Sequence, residues 1–92
     1  MKIRVRYIAQ ARQASGVSSE ELLFDAVCTP DDVLRRVSNS HGENLRRLLM
    51  DERGGIHTAL LIFVNGQQLA PGAALYLNDG DEMEIVPPMS GG

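Results

Sequence analysis

Near both ends of the chain, apolar and charged residues alternate strictly. Ile3, Val5 and Tyr7 interleave with Lys2, Arg4 and Arg6, and far downstream Met83 and Ile85 interleave with Glu82 and Glu84. A period of two sends successive side chains to opposite faces of a strand, so each segment predicts a strand with one buried face. Such strands commit the chain to a sheet, and a half-apolar sheet needs a cover on one side. The residues between them must supply it.

Thr29, Pro30, Asp31 and Asp32 read as a helix start: Thr29 can cap, Pro30 suits the first helical position, and the two acids favour the positive end of the helix dipole. Val33, Leu34 and Val37 then fall on one helical stripe. Gly42 is expected to end this helix, and Leu45, Leu48 and Leu49 in residues 43–50 support another turn or two. A short helix is expected over residues 9–15, stopped by Gly16. Residues 20–27 are a less regular strand, and residues 58–64 are the most hydrophobic one. Asn65 and Gly66 suit a type I′ hairpin turn into residues 67–70. Residues 78–81 form another tight turn before the last strand, and Pro87 and Pro88 must end that strand, because neither can donate to a ladder.

This order predicts an α+β chain of the β-grasp, ubiquitin-like type: a mixed sheet of about five strands with a helix packed on one face. The first and last strands would be parallel central neighbours. Ile3, Val5, Tyr7, Leu60, Ile62, Val64, Met83 and Ile85 are expected to pack on Val33, Leu34 and Val37. The expected organisation is one β-grasp domain over residues 1–88 and a flexible tail over residues 89–92.

Composition removes several functions. The 92 residues allow one small domain. A net charge of −3, with two Tyr, two Phe and no Trp, argues against a nucleic-acid partner. No apolar run approaches the ~18–20 residues of a membrane span, and the first residues lack an apolar signal core, so a cytoplasmic protein without a membrane partner is expected. The single cysteine, Cys28, excludes an intramolecular disulfide framework and a cysteine-based metal site, and reads as a small buried hydrophobe. His41 and His57 have no ligand-type residue at a metal spacing near them. Turn chemistry accounts for Asp79, Asp81 and Glu82, and Gly54 and Gly55 read as a flexible loop. A chain this short has little room for a deep substrate pocket, so no catalytic side chains of its own and no bound cofactor are expected.

The terminus remains. Pro87 and Pro88 favour extended geometry and direct the tail away from the sheet. Residues 89–92 can then reach ~13 Å, and Gly91 and Gly92, lacking Cβ atoms, suit a tunnel too narrow for other residues. The distinct reactive group there is the Gly92 carboxylate, ionised at neutral pH and a poor acyl electrophile until a partner activates it.

The run FVNG at residues 63–66, DGDE at 79–82 and the ending PPMSGG resemble the MoaD/ThiS family of ubiquitin-fold sulfur carriers. The likeness runs along the whole chain, and the order of turn, strand and diglycine in the last fourteen residues is its most specific part. It implies that an E1-like enzyme, using ATP and Mg²⁺, adenylates Gly92, and that a sulfur donor converts the adenylate to a thiocarboxylate for transfer to an acceptor. Gly91 and Ser90 would line the enzyme's tunnel, with Met89, Pro88 and Pro87 near its mouth. Part of the sheet should dock on the activating enzyme, and strand alternation turns Leu61 and Phe63 outward for that role. The PPxSGG ending points to the small subunit of molybdopterin synthase in molybdenum cofactor synthesis, partnered by a MoaE-like large subunit. Carriers serving cysteine, thiamine or other sulfur metabolites, a ubiquitin-like modifier ligated through Gly92, and a binding domain with an inert tail are the alternatives.

Overall fold

The computed structural model describes residues 1–70 and 73–88. The elements run β1 (Lys2–Tyr7), α1 (Gln10–Ser15), β2 (Ser19–Leu23), α2 (Pro30–Ser40), α3 (Glu43–Leu49), β3 (Leu61–Val64), β4 (Gln67–Gln68) and β5 (Glu82–Val86). They build a five-stranded sheet in the order β2-β1-β5-β3-β4. β1 and β5 are parallel neighbours at its centre, and the other pairings are antiparallel. This is the expected β-grasp.

The alternation in β1 is complete: Ile3, Val5 and Tyr7 are buried, and Lys2, Arg4 and Arg6 are exposed. Met83 and Ile85 lie opposite Val5 and Tyr7 in the parallel register, so the two strands bury one continuous face. α2 covers it with Val33, Leu34 and Val37, all buried. Its start is a reciprocal capping box: Asp32 N–H donates to Thr29 Oγ1 at 3.2 Å, and Thr29 N–H donates to Asp32 Oδ2 at 2.9 Å. These bonds satisfy amides that the first helical turn leaves without partners. Ile62 is buried with this face, while Leu60 and Val64 are half-buried and pack against it.

Several boundaries differ from the sequence expectation. β2 begins at Ser19 and ends at Leu23 rather than covering residues 20–27. Its ladder closes with Met1 and Phe24, which exchange two backbone bonds of 2.8 Å. Phe24 then turns into the core, with the Arg36 guanidinium 4.0 Å from its ring centroid and donating to the Leu23 carbonyl at 2.6 Å. β3 begins at Leu61 because residues 57–60 turn, with Leu60 N–H donating to the His57 carbonyl at 3.2 Å. The glycine loop is also more ordered than expected. Asp51 Oδ1 accepts from Arg53 N–H and Gly55 N–H, each at 2.9 Å, closing a turn bracketed by the Met50–Ile56 bridge.

Leu45 and Leu49 of α3, Ala11 of α1, Phe24, Cys28 and Leu77 complete the core. Leu77 belongs to no regular element; its N–H donates to the Cys28 carbonyl at 2.8 Å and thereby draws the chain before β5 under the sheet.

Candidate functional site

β5 positions the region to which sequence reasoning points. It is paired on both sides, with β1 and with β3, and Ile8 N–H adds a bond of 3.1 Å to the Ile85 carbonyl near its end. Pro87 follows it, buried, and Pro88 half-buried. The prolines supply no N–H for further pairing, so the chain leaves the sheet at a fixed point. The predicted site residues Met89, Ser90, Gly91 and Gly92 lie outside the described residues.

Beside that exit the uncovered face of the sheet is apolar. Leu61 lies opposite Val86, and Phe63 opposite Glu84, so cross-strand register brings Leu61, Phe63 and Val86 to one corner. Leu61 is 41 % exposed, while Phe63 and Val86 are half-buried. The outward parity expected for Leu61 and Phe63 is what the register places. Val86, which sequence reasoning did not single out, joins them through the register, which one sequence does not reveal.

The rest of this face is charged. Arg6 Nη1 lies 3.4 Å from Glu84 Oε2 and 3.8 Å from Glu82 Oε1, and Glu21 meets Arg4 at 3.4 Å and Lys2 at 3.9 Å. Such half-exposed pairs add little stability but keep the face hydrated and define its pattern.

The other polar candidates are structural. At the start of β5, the motifs around Asn65 and Asp81 interlock. Asn65 N–H donates to the Glu82 carbonyl at 2.8 Å, Glu82 N–H to Asn65 Oδ1 at 2.9 Å, and Asn65 Nδ2 to Asp81 Oδ1 at 2.9 Å. Asn65 and Gly66 have φ of 50° and 84°, the left-handed pair that a type I′ turn needs. Asp79 Oδ1 accepts from Lys2 N–H at 2.6 Å. Cys28 is buried, and desolvation holds its thiol above the ordinary range. Among the described residues no group of three or more His, Cys, Asp or Glu side chains is placed to hold a metal ion.

One cluster escaped the sequence reading. Glu20 lies opposite Val5 and so points to the covered face, where its Oε2 accepts from the Tyr7 hydroxyl and meets His41 Nε2. The Tyr7 and His41 rings stand edge to face at 5.5 Å. Burial, and then the Glu20 hydrogen bond, push the Tyr7 phenol upward. The cluster ties the C-terminal end of α2 to β1 and β2. Twenty-one residues separate Glu20 from His41, so no local spacing could have revealed it. An open groove of about 440 Å³ between the N-terminus of α2 and residues 56–62, 68–70 and 73–75 is mainly apolar, with Leu34, Leu61, Leu69 and Leu75 among its lining.

A mixed five-stranded sheet whose central strand ends beside an apolar corner is a β-grasp of the ubiquitin-like class. The chain belongs to the ThiS family, whose model matches residues 5–92. It is 30 % identical to small archaeal modifier protein 3 of Haloferax volcanii, over the full length of both chains. It is 26 % identical to the molybdopterin synthase sulfur carrier subunit of Chlamydomonas reinhardtii, again over the full length of both. The crystal structure of SAMP1 from Haloferax volcanii superposes with a TM-score of 0.84 at 24 % identity, covering both chains completely, which establishes the shared fold. Members of this family are small sulfur carriers and ubiquitin-like proteins, non-catalytic subunits or modifiers, rather than enzymes. No helix among the described residues is long and apolar enough to cross a membrane.

Proposed function

We propose that the chain is a sulfur carrier whose Gly92 carboxyl is adenylated by an E1-like enzyme and then converted to a thiocarboxylate. The observation that carries this reading is the placement of Leu61, Phe63 and Val86 beside Pro87 and Pro88. A partner that docks on this corner is positioned to receive the chain that follows Pro88. ATP and Mg²⁺ are used by that partner, and the chain itself binds neither. Burial of a compact apolar patch supplies affinity, and the surrounding charges set orientation.

The acceptor best supported is the large, MoaE-like subunit of a molybdopterin synthase, in line with the name of the Chlamydomonas reinhardtii relative. A second reading, ligation through Gly92 to amines of other proteins, is favoured by the name of the Haloferax volcanii relative. Both begin with the same activated carboxyl and differ in the nucleophile that attacks it.

The test is intact mass after incubation with the cognate E1-like enzyme, ATP, Mg²⁺ and a sulfur donor. The carrier gains the mass of one oxygen exchanged for sulfur. Deleting Gly92 abolishes that gain and leaves the melting temperature unchanged, because the carboxyl retreats by ~3.5 Å from the attack geometry. Gly92→Ala reduces the rate less severely. Full activity of the deletion variant overturns the reading.

A further inference from the structure

We infer that the groove beside the N-terminus of α2 receives an amphipathic helix of a partner protein. Its apolar anchors would pack on Leu34, Ile62, Leu69 and Leu75, and a lysine or arginine would face Asp31. This docking does not depend on the chemistry at Gly92.

The groove is apolar inside and open at its rim. Buried Leu34 and Ile62 line it together with half-buried Ile56, Leu60, Leu69 and Leu75. Ala70, Ala73 and Ala74, also in its lining, are exposed, and side chains that stop at Cβ let a bulky element approach closely. Its volume of about 440 Å³ takes several side chains. A small-molecule site usually encloses about 70–90 % of its ligand, and a groove with so much exposed lining does not. A side-chain array presented by a larger partner suits it better.

The partner's element is a helix rather than a strand. β4, the edge strand beside the groove, is two residues long, Gln67–Gln68. Strand addition draws its affinity from a run of main-chain hydrogen bonds, and two residues offer almost none. Anchors at i, i+3, i+4 and i+7 of a helix need no such ladder. A second copy does not supply this helix. The exposed large apolar residues among those described are Val17, Leu23, Val27, Leu61 and Tyr76, and none belongs to a helix. Every exposed position of α1, α2 and α3 is polar or charged.

Charge selects which helix fits. Asp31 supplies the one carboxylate of the groove among the described residues, and no Lys or Arg of those residues lines it. Arg35, one turn further along α2, donates to the Gly54 carbonyl at 3.3 Å, and none of the ion pairs among the described residues involves Asp31. Exposed Asp32 adds a second negative charge beside it. Two carboxylates outweigh the roughly +0.5 charge of a helix N-terminus, so this end of the groove attracts a cation and repels an acidic helix.

The probe is a displayed library of random peptides of about 16 residues, ~24 Å as a helix, selected on the full chain at low salt. The expected result is enrichment of peptides with apolar residues at i, i+3 or i+4 and i+7 and a Lys or Arg alongside. Their circular dichroism should gain helix on binding, and amide chemical shifts should move at residues 56–62, 68–70 and the start of α2. Ala73→Arg fills the rim at an exposed position without touching the core, and should weaken binding about tenfold or more at an unchanged melting temperature. Asp31→Asn should weaken it about two- to fivefold at low salt and not at 1 M salt. No enrichment, peptides that bind extended or carry acids in place of the cation, or full affinity in either variant overturns the proposal. So do shifts confined to Phe63 and Val86. Association of the chain with itself through the same residues assigns the groove to a second copy, and overturns it as well.

Discussion

The two faces of the sheet are built from the same strands and obey different rules. On the covered face, Ile3, Val5, Tyr7, Met83 and Ile85 are almost fully removed from water against α2 and α3. The side chains one position along point the other way and form half-exposed ion pairs ending at an apolar corner. Burial makes the first set responsible for stability, at about 1.5–3 kcal/mol for each large apolar side chain. The second set carries little of that load, so its pattern is free to serve recognition. Such a separation suits a carrier or modifier, because a partner can read one face without loosening the fold.

The largest expected effect is on the covered face. Ile85 is 0 % exposed on a central strand, level with Tyr7 on one side and Ile62 on the other. Ile85→Ala leaves a cavity between two ladders and should cost about 2–5 kcal/mol in chemical denaturation. A loss below about 1 kcal/mol would mean that the covered face does not dominate stability.

The same face predicts a pH dependence. The Tyr7 phenol is held above its ordinary value of 10.0, first by burial and then by Glu20, and the Cys28 thiol above 9.0, mainly by burial. Both groups are neutral in the fold and ionise more readily in the unfolded chain. Their contribution is therefore complete below the unfolded values and is lost as pH rises beyond them, first for Cys28 and then for Tyr7. Melting temperature should fall progressively above about pH 9. Cys28→Ala should remove the earlier part of that decline, and a flat profile to pH 11 would contradict the burial of both groups.

How much of this was legible depended on the range of the interactions. Local devices could be read directly: the Thr29 cap of α2, the Asn65 and Gly66 turn, and the alternation of β1 and β5 all lie within a few residues. The outward parity of Leu61 and Phe63 followed from alternation. Register did not, and with it went Val86 as their neighbour and the bonds that join Asn65 to Asp81 and Glu82. Glu20 read as part of a strand, yet its charge sits on the covered face because Tyr7 and His41 meet it there. Leu77 was missed because it is buried without belonging to a helix or strand, so no period marks it.

On the uncovered face the expected effects shrink for stability and grow for binding. Phe63→Ala should cost about 1 kcal/mol of stability or less, since the ring is half-buried between Glu84 and Gln68 and lies outside the covered core. Affinity for the E1-like partner proposed above should nevertheless drop about tenfold or more, as for an aromatic anchor at an interface centre. Calorimetric titration paired with a thermal melt separates the two. A large stability loss with unchanged affinity would assign Phe63 to the fold.

The smallest effect should come from Arg6, and it tests the division between the faces most sharply. Its guanidinium approaches Glu84 at 3.4 Å and Glu82 at 3.8 Å, but its side chain is 48 % exposed and those of its partners 25 % and 38 %. Water and ions screen such pairs, and holding a long side chain in place costs entropy, so Arg6→Gln should change stability by about 0.2–1 kcal/mol at low salt. At 1 M salt the Debye length falls to about 3 Å and the difference should vanish. Denaturation of both proteins at low and high salt measures this directly. A loss above about 2 kcal/mol that survives high salt would show that the uncovered face also holds the fold together. Recognition there could then not vary independently of stability, and the contrast between the two faces would fail.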